Sequence, residues 1–382
     1  MLREKGTFIR LKSRSCYITL GTIEAPMPYA RPNRNGPTIK DIAAALGVSH
    51  VTVSRALNDS PLVTEETKKR LREAAASMGY IPDAAAKQLR GGRSNIVGFI
   101  LPDVENHFFS AIARVIAETL AASGMQLVLS ISEDDPDLEL RHVRSLCEAR
   151  PKGIIITPVV NMHRETADLL ANIPCKQLVR RHPLVESDVI VSEDKTATRL
   201  AAQRLIDLGH RHIAYIGNGS ETLSTGADRA EGFYQAVWAA PEVKATIKLG
   251  PPGPGHGYET AIELLTDPKR PTAIVLGSAL FTIGTLQAIR ETGLEVPRDI
   301  SLIGYDDPDW FKVWGAGITT VALPIREMAM MAASLVGESA LEPALEPAIT
   351  SIDGTSCKRL TFPVNLVQRG SDRQFRDRNQ EV

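Results

Sequence analysis

The sequence predicts an α/β protein: a small all-α helix-turn-helix headpiece ahead of a two-lobed α/β body with parallel sheets. Three observations lead there. The stretch "TIKDIAAALGVSHVTVSRALN" (38–58) reads as two capped helices about a glycine. From residue 96 onward, short apolar runs alternate with helical stretches. The charge is also unevenly spread. Residues 1–37 hold seven Lys/Arg against two Asp/Glu (+5), and residues 38–95 hold nine against six (+3). That leaves −9 for the rest of a chain whose net charge is −1. A basic front on an acidic body suits a front that meets a polyanion.

Composition narrows the class. At 382 residues the chain has room for more than one domain, and 43% hydrophobic with 23% charged residues is ordinary for a soluble globular protein. No apolar run approaches the roughly 18 residues of a membrane span, and the basic N-terminus lacks the apolar stretch of a secretory signal. Cys16, Cys147, Cys175 and Cys357 lie far apart and form no C-x-x-C. That fits reduced thiols in a cytoplasmic protein better than a disulfide framework or a zinc site.

Residues 1–37 show no sustained period and carry Pro26, Pro28, Pro32 and Pro37, so a disordered basic arm is expected. Order is expected from Thr38, a cap with Asp41 as its reciprocal partner. Ile39, Ile42, Ala43 and Leu46 then share one helical face. Gly47 ends this helix and Ser49 caps the next. In the second helix Val53, Ala56 and Leu57 can pack on the first, while His50, Val51, Ser54 and Arg55 face outward. An exposed valine near a helix start is poorly placed in water but useful in a major groove, where thymine offers a methyl group. Arg55 suits guanine, and His50 a base edge or phosphate. Thr64 caps a third helix whose buried stripe is Leu71, Ala74, Ala75 and Met78. The headpiece is thus placed at 38–82, with Thr38, Ser49, His50, Val51, Thr52, Ser54, Arg55 and Asn58 as its DNA-facing candidates. Residues 83–95 follow as hinge and linker. Asp83 to Arg90 is a capped, Ala-rich segment of about two turns, too short to be stable alone.

These residues carry a resemblance. "GVSxxTVSRxLN" at Gly47–Asn58 and "GYxPxxxAxxL" at Gly79–Leu89 make residues 38–95 similar to the DNA-binding headpiece and hinge of the lactose-repressor (LacI/GalR) family of bacterial transcription regulators. The resemblance implies that Leu89 wedges into the minor groove beside its copy from a second subunit, flanked by Lys87 and Arg90. It further implies a homodimer on double-stranded operator DNA.

The body is placed at 96–370. Apolar runs at 96–101, 126–131, 153–157, 212–217, 272–277 and 300–307 alternate with helical stretches at 109–123, 137–149, 194–208, 227–239 and 278–292. Such alternation implies parallel sheets covered on both faces. The length suggests two lobes, with a ligand at the carboxyl ends of the strands between them. "GHRHIAYIG", "DRAEGF" and "DISLIGYDD" resemble the periplasmic-binding-protein-like sensor of the same family. By that resemblance Arg229 bonds ligand oxygens, Asp306 is the cleft carboxylate, and Phe108 and Phe109 pack against the ligand. Departures are present too. Ser278-Ala279 stands where relatives carry Asn-Asp, and an aromatic found in some relatives near position 252 is replaced by a Pro/Gly loop.

Arg180, in "QLVRRH" (177–182), stands where relatives commonly have an acid. Arg180 with Arg229 would place two guanidiniums in one cleft, which argues for an anionic effector such as a sugar acid or phosphorylated sugar. The alternatives are that Arg180 pairs with an acid such as Asp306, or that Arg181 is the inward residue.

No catalytic constellation is found. "GPPGPGHG" (250–257) fits a loop better than a nucleotide fingerprint, and no G-x-S-x-G elbow is present. His210 and His212 fit turn and strand structure better than metal ligands. No cofactor or metal is expected, and residues 371–382 read as a polar tail. The reading is therefore a DNA-binding transcriptional repressor controlled by a small effector, and not an enzyme. The rivals are a transport-class solute receptor and a cytosolic α/β enzyme. The first is opposed by residues 1–95 and the second by the missing chemistry.

Overall fold

A computed structural model describes residues 37–80, 94–219, 224–337, 345–352 and 354–375. The chain separates into two units, divided between Asp83 and Ala84. The first contains α1 (Ile39–Leu46), α2 (His50–Leu57) and α3 (Glu65–Ser77). Thr38 and Asp41 form the full capping box, and Gly47 ends α1 at φ +66, where a side chain would be strained. Ser49 caps α2 through the Thr52 amide. The core is Ile42, Ala43, Val53, Ala56, Leu71 and Ala75. Lys68 joins that buried stripe, which the sequence reading did not anticipate. Its ammonium emerges to Glu65 at 2.6 Å and Asp59 at 3.3 Å.

The second unit has two sheets. The first lobe's sheet runs β11-β12-β5-β4-β3-β1-β2, with strands β1 (Ile96–Leu101), β2 (Gln126–Ile131), β3 (Gly153–Ile156), β4 (Cys175–Leu178), β5 (Val189–Ser192), β11 (Ala348–Ser351) and β12 (Lys358–Phe362). The second lobe's sheet runs β13-β10-β9-β8-β6-β7, with β6 (His212–Asn218), β7 (Lys244–Gly250), β8 (Ala273–Leu276), β9 (Ser301–Tyr305), β10 (Thr319–Ala322) and β13 (Asn365–Val367). Pairing is parallel except at β11–β12 and β10–β13. The central strands are buried along their length, as a sheet covered on both faces requires.

Helices α4 (His107–Ala121), α5 (Pro136–Glu148), α6 (Arg164–Leu170) and α12 (Ile325–Gly337) cover the first sheet. Helices α7 (Asp194–Asp207), α8 (Ser224–Trp238), α9 (Pro254–Thr266), α10 (Ala279–Glu291) and the short α11 (Trp310–Val313) cover the second. The chain passes between lobes after β5, after β10 and after β12. Leu323, on the second passage, packs against the cores of both lobes. None of the described helices is long and apolar enough to cross a membrane.

Two expectations are corrected. The "GPPGPGHG" loop is only half a loop, because α9 begins at Pro254, the first helical position that proline tolerates best. A glycine on each side lets α9 and α10 pack closely: a Cβ on Gly257 would lie 2.6 Å from the Phe281 carbonyl oxygen, and one on Gly284 of α10 would lie 2.0 Å from that of Pro254. The body also does not end at residue 370. Ser371 and Asp372 are buried, and the Ser371 hydroxyl donates to the Leu302 carbonyl at 2.6 Å. Asp372 accepts from Arg204 at 2.8 Å and from Thr319. A polar-looking stretch was thus drawn in by buried partners far away in sequence.

Candidate nucleic-acid interface and effector cleft

On the headpiece, α2 turns Val53 and Ala56 into the core and leaves His50, Val51 and Arg55 exposed. Val51 is 43% exposed, the unsatisfied apolar surface the sequence reading noted. Arg55 makes no ion pair among the described residues and is open to a base or phosphate. Ser54 and Thr52 are half-buried at the edge of this face, and Thr52 shares a 2.8 Å hydrogen bond with Ser49. Asn58 is exposed, but its amide donates to the Ser54 carbonyl at 2.7 Å and finishes the helix. Thr38, at the start of α1, is engaged in its capping box. Lys87, Leu89 and Arg90, the hinge candidates, lie outside the described residues.

In the second unit, the loops after the carboxyl ends of β1, β2, β4, β6, β8 and β9 converge on a cavity of about 130 Å³ between the lobes. Phe108, Phe109, Arg180, Arg229, Ser278 and Asp306 all line it, so every effector candidate named from the sequence meets at one place. Phe108 and Phe109 contact edge to face, with centroids 5.2 Å apart, at the start of α4. Asn106 caps that helix. Ser278 is mainly a cap too, accepting from the Leu280 amide at 3.3 Å. Pro252, in the Pro/Gly loop, also lines the wall.

The electrostatics bear on the effector's charge. Arg180 is inward and Arg181 is exposed. Arg180, however, forms a two-pronged pair with Asp134, not with Asp306. Arg229 donates to Asp194 at 2.9 Å and to the Gly277 carbonyl at 2.8 Å, and stacks 4.1 Å above the Tyr305 ring. Asp194 also accepts from the Tyr305 hydroxyl. Each guanidinium thus already has a carboxylate partner. Burial pushes the Asp306 carboxyl up to about 7, opposed by nearby Arg229 and reinforced by Asp194. One Asp306 oxygen, Oδ1, is buried with no hydrogen-bond partner among the described residues.

Backbone strain gathers at the same place. Asp134 (φ 56), Val179 (φ 72) and Asp306 (φ 66) all line the cavity in left-handed conformations. Such geometry is costly, most of all for a β-branched valine, and marks a functional site. The sequence reading missed Asp103, Asn106, Asp134, Asn218 and Thr225 in the wall and Asp194 behind it. Only their positions at strand ends could have flagged them. His210 and His212 are turn and strand residues, bonded to Thr272 and the Arg373 carbonyl, and to Thr246, respectively.

A helix-turn-helix unit followed by a two-lobed receptor with a polar cleft defines a DNA-binding regulator with a sensor body. Residues 38–83 match the model of bacterial regulatory proteins of the lacI family, and residues 202–371 match that of the periplasmic binding protein-like domain. The chain belongs to the lacI family of bacterial regulatory proteins. It is 33% identical over 298 residues to the HTH-type transcriptional regulator DegA of Bacillus subtilis (strain 168), covering 76% of this chain and 88% of that one. It is 31% identical over 343 residues to the HTH-type transcriptional repressor PurR of Glaesserella parasuis serovar 5, covering 88% and 99%. The fold matches the Lac repressor dimer bound to operator and the anti-inducer ONPF with a TM-score of 0.74, at 24% identity, over 89% of this chain and 100% of that one.

Proposed function

We propose that this regulator is a cytoplasmic repressor. It binds a twofold-symmetric operator as a homodimer through His50, Val51, Arg55 and their neighbours, with the Leu89 segment as hinge wedge. It releases or grips the operator when a small effector enters the cleft. One helix-turn-helix offers few base contacts, so a dimer matched to operator symmetry supports regulatory affinity. The observation that carries the effector reading is the meeting of all six sequence-named residues around one strained cavity between two lobes.

The effector is a small neutral polyhydroxylated molecule of the sugar type. Arg180 and Arg229 are each already paired with a carboxylate, and Asp103 adds a further acid to the wall, which disfavours an anion. At about 130 Å³ the cavity is smaller than the ~300–1,000 Å³ of usual ligand sites, which matches lobes drawn together. Ligand entry is therefore coupled to lobe movement, the step that can be transmitted to DNA. The test is operator binding followed by fluorescence anisotropy while neutral sugars are titrated in. A change in operator affinity that Asp306→Asn weakens in a variant that still binds operator supports the reading, and indifference to every sugar counts against it.

A further inference from the structure

The cleft contains a second buried acceptor without a partner among the described residues: Asn218 Oδ1, on a residue 8% exposed. Asn218 ends β6 and Asp306 follows β9, and these two strands flank β8. Strands lie ~4.8 Å apart, so the two residues stand about 10 Å apart across the end of β8. Asn218 is held from behind. A Cβ on Gly226, in the first turn of α8, would already come within 3.1 Å of the Asn218 carbonyl oxygen and 3.2 Å of its Cβ. The backbone and Cβ of Asn218 are thus confined on one side, and the residue itself lines the cavity.

Buried polar atoms are nearly always paired, so an unpaired one on a residue of a cavity wall calls for a partner there, a water or a ligand. Both orphan atoms in this wall are acceptors. We infer that Asn218 is a specificity-determining residue of the cleft: the effector lies across the end of β8 and donates hydrogen bonds to Asn218 Oδ1 and Asp306 Oδ1 together. The site therefore selects ligands with two spaced donors, hydroxyl or amine. It rejects a carboxylate, which brings only acceptors to that edge. This inference rests on the cleft being the effector site.

The experiment compares the wild-type chain with Asn218→Val and Asn218→Ala by thermal unfolding. It is run without ligand and with D-glucose, D-galactose, D-ribose, D-gluconate, D-galactonate and D-ribonate. Without ligand, both variants are expected to melt no lower than wild type, because the Oδ1 acceptor they remove has no partner among the described residues. A structural hydrogen bond at Asn218 would instead lower both by about 2–4 °C or more and overturn the inference. With ligand, at least one neutral sugar is expected to stabilise the wild type more than its acid, and both variants to weaken that sugar roughly tenfold. Preference for an acid, or a neutral-sugar response that both variants retain in full, would overturn the role of Asn218 and leave the cleft reading standing. Silence from all six compounds in the wild type would count against the cleft reading and remove this inference with it.

Discussion

The outer face of α2 and the wall of the cleft handle polar chemistry in opposite ways. Arg55 and His50 stand in solvent, positioned only by the helix beneath them. Arg180 is buried and Arg229 nearly so, and each is tied to a carboxylate, Asp134 or Asp194. Exposed groups of the first kind can be replaced at little cost to folding, because water solvates what remains. Groups of the second kind belong to the fold as well as to the site, because removing one partner strands the other in a buried place. A surface that reads a polyanion needs free charges. A cleft that recognises a small molecule needs its charges already neutralised and held still.

The largest test of that contrast is Arg229→Ala. It leaves Asp194 and Asp306 without their cation and should cost about 3–5 kcal/mol of body stability in urea unfolding. Arg55→Ala should leave the unfolding curve within ~0.5 kcal/mol of wild type. A small loss at Arg229 would mean that the buried pair is not structural.

Close packing near the cleft offers a second test. Gly284→Ala drives a methyl group against the Pro254 carbonyl and should cost about 1–3 kcal/mol by forcing α9 and α10 apart. Calorimetry of the full chain measures it, and an unchanged transition would show that the two helices separate freely.

Arg55→Ala should also lose about 1–3 kcal/mol of operator binding while keeping non-specific DNA affinity nearly intact. Equal loss on all sequences would reduce Arg55 to a phosphate contact.

A fourth test uses pH. Asp306 is raised from 3.8 to about 7 by burial, so the folded state holds its proton more tightly than the unfolded state. Stability from this group is therefore present below about pH 4 and is lost as pH rises towards 7. Glu139, also buried and raised to about 7, acts in the same direction. Asp306→Asn should flatten this decline relative to wild type across that window. A variant with the wild-type slope would show that Asp306 titrates like an exposed acid. The smallest expected effect is at a cap: Thr38→Ala should cost the headpiece about 1 kcal/mol, read as earlier amide exchange in α1.

What was legible in the sequence follows the reach of each interaction. The capping box of Thr38 and Asp41 spans three residues, and the buried stripe of α2 repeats within one turn, so both could be read locally. The apolar runs became strands because alternation with helices leaves few other architectures, although β4, β5, β7 and β10 to β13 did not stand out; β7 is as long as β6, but it is an edge strand with Lys244 and Lys248 breaking its apolar run. Phe108, Phe109, Arg180, Arg229, Ser278 and Asp306 were placed together because motif resemblance carries long-range information that periodicity does not. The partners of the arginines were not legible. Asp134 lies 46 residues from Arg180 and Asp194 lies 35 from Arg229, and no local pattern links them. The anionic effector was inferred from two charges without sight of those counter-charges. Residues 371–375 were misread for the same reason, since the partners of Asp372 are Arg204 and Thr319.

The central claim is that the exposed face of α2 makes this chain a sequence-reading regulator. The most direct measurement is recovery of genomic DNA fragments on the full-length protein, followed by sequencing, with Arg55→Ala run in parallel. The account predicts enrichment of a short twofold-symmetric site by the wild-type chain and loss of that enrichment in the variant. Uniform recovery of fragments by the wild-type chain, or enrichment of the same site by Arg55→Ala, would contradict it.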